Sequence, residues 1–90
     1  MDAAPLPKLE IYRLAAALSD RIWTLIAEWD EVACEAIGVP LTRTADAIGA
    51  YIAVGIGRGT VADNERSIEL ARGMLKATFF RIRRARRDTK

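Results

Sequence analysis

Arginine has the greatest chemical reach in this sequence. Arg81, Arg83, Arg84, Arg86 and Arg87, with Lys76 more than a turn earlier, crowd into residues 76–90. A guanidinium presents a planar fork of donors that matches a phosphate, and each neutralised phosphate releases counterions, so such a cluster predicts salt-sensitive binding of RNA or DNA. On a helix these cations cover most azimuths of the last turns and leave Ile82 and Ala85 for an interior side. A structural role competes with this reading, because cations near a helix C-terminus interact favourably with the macrodipole by about 0.3–1 kcal/mol each. Phe79 and Phe80 lie beside the cluster. Phe79 falls on the expected core stripe, which leaves Phe80 as the ring free to stack on a base.

Other candidate chemistry is weaker. Arg58 sits among Gly55, Gly57 and Gly59, where backbone N–H groups could receive an anion, yet no strand precedes the turn and no Lys-Ser/Thr follows it, so helix capping is the better account. Asp20, Glu28, Asp30, Glu31 and Glu35 gather near the end of the first predicted helix and the start of the second. Without histidine they lack a Glu-x-x-His pattern, and solvated helix ends explain them better than a di-iron site. Asp46 stands three residues from Arg43, the spacing of an ion pair on one helix face. The absence of histidine and the single cysteine, Cys34, exclude an internal disulfide, a Cys/His zinc site and every histidine-based triad. No catalytic residue, metal or cofactor is expected. A small helical enzyme of the chorismate-mutase type would need paired Arg, Lys, Glu and Gln spacings that are not evident.

Charge is unevenly placed. Residues 76–90 carry seven Lys/Arg and one acid, +6, whereas residues 1–75 carry seven Lys/Arg and eleven acids, −4. An acidic body with a basic end points to a polyanion or an acidic protein surface as partner. A lone thiol, the lack of a signal-peptide pattern and the shortness of the apolar run from Ala47 to Ile56 make a soluble, cytoplasmic chain the expectation, with no membrane partner.

The elements that must position these groups are helices, and no segment alternates as a strand does. Ile11, Leu14, Ala15, Leu18, Ile22, Leu25, Ile26 and Trp29 recur at three- and four-residue steps, predicting a helix over about 8–29. Ala33, Ile37, Leu41, Ala45, Ile48, Ile52 and Ile56 continue the pattern over 31–57. Gly38-Val39-Pro40 interrupts it, so this helix kinks or restarts near Pro40. Thr60 to Asp63 has capping-box spacing, and Ile68, Ala71, Leu75, Phe79, Ile82 and Ala85 form the stripe of a third helix over 62–87. Ala45, Gly49, Ala53 and Gly57 offer a small-residue face for close packing, with Ala15, Ala16 and Ala17 as its counterpart. The whole is read as one all-α domain over 1–90, an antiparallel helical bundle.

Ninety residues bury only about 60–65% of their unfolded surface, and three long rods seal a core poorly. Tyr12, Trp23, Tyr51, Val54, Met74 and Phe80 fall partly off the main stripes. They are the candidate interface of a homo-oligomer or an obligate complex.

Four segments resemble one family. Leu9-Glu10-Ile11-Tyr12-Arg13-Leu14-Ala15 is similar to its opening helix, and Ile37-Gly38-x-x-Leu41-x-Arg43-x-Ala45-Asp46-x-Ile48-Gly49-Ala50-x-Ile52-Ala53 resembles its second-helix signature. Gly55-x-Gly57-Arg58 matches the following loop, and Ile68 with Ala71-Arg72-Gly73 and Leu75 resembles its third helix. The family is that of the bacterial four-helix-bundle proteins of 23S ribosomal RNA intervening sequences, which includes the accessory variability determinant protein of diversity-generating retroelements. The resemblance implies a non-enzymatic subunit, pentameric in better-known members, that binds nucleic acid through a basic surface and in retroelements assists a reverse transcriptase. Departures stand beside the match. Tyr51 and Val54 replace a polar pair, Ala47 and Met74 replace serines, Pro40 replaces a glutamine, and the fourth helix is expected to be absent or supplied by a partner.

Overall fold

The computed structural model describes residues 5–89, with side chains for residues 9–57 and 59–86. Helix α1 is Pro5–Ile26, α2 is the single turn Glu31–Ala33, a π-helical stretch covers Cys34–Gly38, α3 is Val39–Arg58 and α4 is Val61–Thr89. There is no strand among the described residues. The first helix starts three residues before the sequence expectation and ends three residues sooner. Just past Ile26 the chain tightens through Glu28 N–H to Leu25 O and Trp29 N–H to Ile26 O bonds, of the three-residue kind.

The caps explain where the later helices begin. Asp30 holds an extended backbone and accepts a hydrogen bond from the Ala33 N–H at 2.8 Å, which starts α2. Thr60 Oγ1 accepts from the Asp63 N–H at 3.1 Å, which starts α4. Between α3 and α4 stand only Gly59 and Thr60, and Gly59 takes φ +85°, the left-handed conformation that an α-carbon without Cβ adopts freely.

Gly38-Val39-Pro40 neither breaks the second rod nor restarts it. The Val39 N–H bonds Cys34 O, five residues back, and the flanking residues Gly38 and Val39 keep right-handed helical angles. Widening the helix by one residue just before Pro40 gives the pyrrolidine ring room beside the preceding turn, and the missing proline donor falls in the first turn of α3.

Helix α3 is the middle rod, with α1 on one side and α4 on the other. The nearest neighbours of its glycines set the register. Gly38 faces Ile26, Gly49 faces Ala15 and Tyr12, and Gly55 faces Ser67 and Asn64. Residue numbers on α1 therefore fall as those on α3 rise, and α4 runs back along α3 after its two-residue link. At the far end Ile82 packs on the cluster of Ile22, Ile26, Leu41 and Ala45, beside Trp29 and Cys34.

The interior combines small residues with branched aliphatic ones. The buried apolar residues are Ala15, Ala45, Ala71 and Ala85 with Ile22, Ile26, Leu41, Ile48 and Ile52, joined by Gly38, Gly55, Ser67 and Thr78. Thr78 is fully enclosed, and its hydroxyl donates to Met74 O at 2.8 Å, which satisfies a polar group that would otherwise be costly there. Large side chains of the expected stripes stand outside: Ile11, Leu14, Leu25, Ile56 and Phe79 are exposed. The stripes mark helical spacing correctly, but close small-residue contacts narrow the arc that each rod buries. The molecule measures 48 × 19 × 16 Å, and its radius of gyration of 14.7 Å exceeds the roughly 12 Å of a compact domain of this length.

Candidate nucleic-acid interface

The last three turns of α4 carry the arginines. Arg83, Arg84 and Arg86 are exposed, and Lys76 is exposed two turns before them. Arg81 differs: it is half-buried, and its Nε lies out of reach of solvent without a hydrogen-bond partner in the fold. Successive α-helical residues rotate by about 100°, so Arg83, Arg84 and Arg86 point away from the enclosed line of Ala71, Thr78 and Ala85. The Arg58 and Arg87 side chains lie outside the described residues. Arg58 is the last residue of α3, at the opposite end of α4 from the cluster.

Both phenylalanines are available. Phe79 is 56% exposed and Phe80 63%, so the core place expected for Phe79 is corrected: Thr78, one residue earlier, takes it. The rings precede the exposed arginines by about one turn of α4, a combination of stacking surface and phosphate-binding donors that suits single-stranded nucleic acid.

The charge separation along the sequence is not a separation in space. Because Ile82, Trp29 and Cys34 all pack on the cluster of Ile22, Ile26, Leu41 and Ala45, the arginine end of α4 shares its end of the molecule with the turn that carries Glu28, Asp30, Glu31 and Glu35, all exposed. The local field there is mixed, with cations on α4 and anions on the α1–α2 turn.

The other sequence-singled groups fall elsewhere. Asp46 does not bond Arg43; its carboxylate accepts from the Ser19 hydroxyl across the α1–α3 contact. Ion pairs among the described residues include Glu10 with Arg13 and Glu69 with Arg72, both exposed and three residues apart, a class worth about 0.5 kcal/mol or less. Of the six interface candidates, Tyr12, Trp23, Val54 and Phe80 are exposed, whereas Tyr51 and Met74 are half-buried against the cluster of Ala15, Ile48, Ile52 and Ala71. Two grooves follow the middle rod. One of about 230 Å³ lies between α1 and α3, with Asp20 and Asp46 at its edge, and one of about 410 Å³ lies between α3 and α4, lined by Tyr51, Val54 and Leu70. No group of three His, Cys, Asp or Glu side chains converges among the described residues, and no helix there is long and apolar enough to cross a membrane.

The acidic groove edge escaped the sequence reading because Asp20 and Asp46 are distant in the chain and meet only through the α1–α3 contact. Asp30 was legible as a cap in principle, an Asp three residues before an alanine N–H in a new helix. Comparison with models of known protein families, with curated proteins and with solved structures found no match.

Proposed function

We propose that the chain is a non-enzymatic subunit of a helical homo-oligomer that binds RNA or DNA through the arginine end of α4. The observation that supports this most is the exposure of Arg83, Arg84 and Arg86 beside the uncovered rings of Phe79 and Phe80. Arginine supplies phosphate contacts and phenylalanine supplies stacking, and neither needs a motif or a cofactor. Several copies would place several such ends together, so the affinity belongs to the assembly. In this reading the three rods are part of an antiparallel bundle completed by neighbours, as in the pentamers of the resembling family, and the enzyme assisted is a reverse transcriptase.

Titrating labelled single-stranded RNA and DNA against the protein at several salt concentrations tests the reading. Affinity should fall by orders of magnitude between about 50 and 200 mM salt if several phosphates are engaged. Replacing Arg83, Arg84 and Arg86 by Glu should abolish binding while helix content stays. Affinity indifferent to salt, or retained by the triple variant, contradicts it.

A second reading has its own observation. Carboxylates Glu28, Asp30, Glu31 and Glu35 share the end that carries the arginines, which weakens the pull on a polyanion and suits a protein surface of mixed charge. A structural adaptor that docks the helices of another protein, without nucleic acid, would co-purify with that protein and show no nucleic-acid absorbance.

A further inference from the structure

Two hydroxyls are buried on the inner line of α4, and only one of them is satisfied. Thr78 donates to Met74 O, whereas Ser67, 6% exposed, makes no hydrogen bond among the described residues. A buried hydroxyl without a partner is costly unless something outside the chain meets it. Ser67 lies against Gly55, where an added Cβ would stand 3.1 Å from its Oγ, and it lines the α3–α4 groove of about 410 Å³.

That groove has apolar walls and two opposite charges. Tyr51, half-buried, and the exposed Val54 and Leu70 supply the walls. Asp63 and Arg66 also line it. Standing three residues apart, they share one side of α4 with their Cβ atoms about 5–6 Å from each other. No ion pair joins them among the described residues, and Glu69, which is three residues from Arg66, pairs with Arg72 instead. Glu65, next to Arg66 in the chain, does not line the groove.

The lining selects the chemistry of an occupant. A bare anion would meet Asp63 beside Arg66, and a bare cation would meet Arg66 beside Asp63. A wholly apolar molecule would strip water from both charges and leave Ser67 unpaired. A zwitterion with an apolar tail answers every group: its carboxylate accepts from the Arg66 guanidinium, its ammonium donates to Asp63, Ser67 bonds either end of the head, and the tail lies between Tyr51, Val54 and Leu70. We propose that the α3–α4 groove binds a free amino acid with an apolar or aromatic side chain. The volume lies within the roughly 300–1,000 Å³ of small-molecule sites. Neither the homo-oligomer nor nucleic-acid binding is needed for this, because Arg66 and Arg83 are separated by about 25 Å of helix at 1.5 Å per residue.

Amide NMR spectra of the native chain, titrated separately with L-phenylalanine, phenethylamine and 3-phenylpropionate, test the proposal. The two analogues keep the ring and lack the carboxylate or the ammonium. L-Phenylalanine should saturate with a Kd of about 1 mM, the scale set by so small a ligand, and should shift amides within 51–55 and 63–70. Each analogue should bind at least about tenfold more weakly, since each leaves one charged group unmatched. Arg66→Gln should cost L-phenylalanine about tenfold and leave phenethylamine no weaker than before; Asp63→Asn should do the converse with 3-phenylpropionate. Absence of saturation up to about 10 mM, shifts centred elsewhere, equal binding of the three ligands, or an Arg66→Gln chain that binds L-phenylalanine as the native one does would overturn the proposal. The three ligands decide the matter on the native chain even if circular dichroism shows that a variant has lost helix.

Discussion

Where α3 meets α4, a Cβ added to Gly55 would stand 2.7 Å from the Ser67 Cβ, so the two rods touch almost backbone to backbone. Farther along the same helix, Phe79 and Phe80 reach into solvent, as do Leu14 and Trp23 on α1. The interior itself is mixed, with Ile22, Ile26, Leu41, Ile48 and Ile52 buried beside four alanines. The contrast shows small residues drawing the rods together at Gly55 and Ser67 while Leu14, Trp23, Phe79 and Phe80 stay uncovered. Exposed apolar surface of this kind is what the proposed homo-oligomer would cover.

The contrast can be broken from the inside first. Leu41 is 1% exposed and is the largest fully enclosed apolar side chain, so Leu41→Ala should cost about 2–5 kcal/mol, read as a lower midpoint in urea unfolding. Gly55→Ala comes next. The new methyl overlaps Ser67, a strain of about 1–3 kcal/mol that outweighs the helix-propensity gain of about 1 kcal/mol, and the midpoint should fall. Gly73→Ala sharpens the comparison, because nothing lies within 4 Å of a Cβ there: the same substitution should stabilise the chain by about 1 kcal/mol. Removing the α4 cap with Thr60→Ala should cost about 1 kcal/mol. Smallest of all is the expected effect of Phe80→Ser on the fold of a single chain, within about 0.5 kcal/mol, since the ring is largely uncovered. A large loss from Phe80→Ser under conditions where the chain is associated would locate that ring in a contact between copies.

Much of the fold was legible. The helical spacing, the Thr60–Asp63 start signal and the Gly59 stop signal are local, and they read directly as caps and turns. Gly38-Val39-Pro40 was legible only as a conflict, because the same residues permit a kink, a break or the one-residue widening that the structure adopts, and the packing of Gly38 against Ile26 decides among them. The face each rod buries was the least legible part. Periodicity places Leu14, Leu25 and Phe79 with Ala15, Ile22 and Ala71, but it does not say how close the rods come, and the close approach at Gly55 and Ser67 moves the buried arc toward the small residues. The arginine end was visible as composition. Its neighbour, the acidic turn at Glu28 to Glu35, is legible only in the fold, where Ile82 and Cys34 pack on one cluster with Ile26.

The proposed homo-oligomer would place the uncovered apolar surface between copies of the chain. Its most direct test is the mass of the native protein in solution, measured by light scattering during gel filtration over a range of micromolar concentrations and at high salt, where bound nucleic acid is released. A homo-oligomer gives a stable multiple of 9.9 kDa with a protein-only absorbance spectrum. A well-folded helical species of 9.9 kDa at every concentration would contradict it.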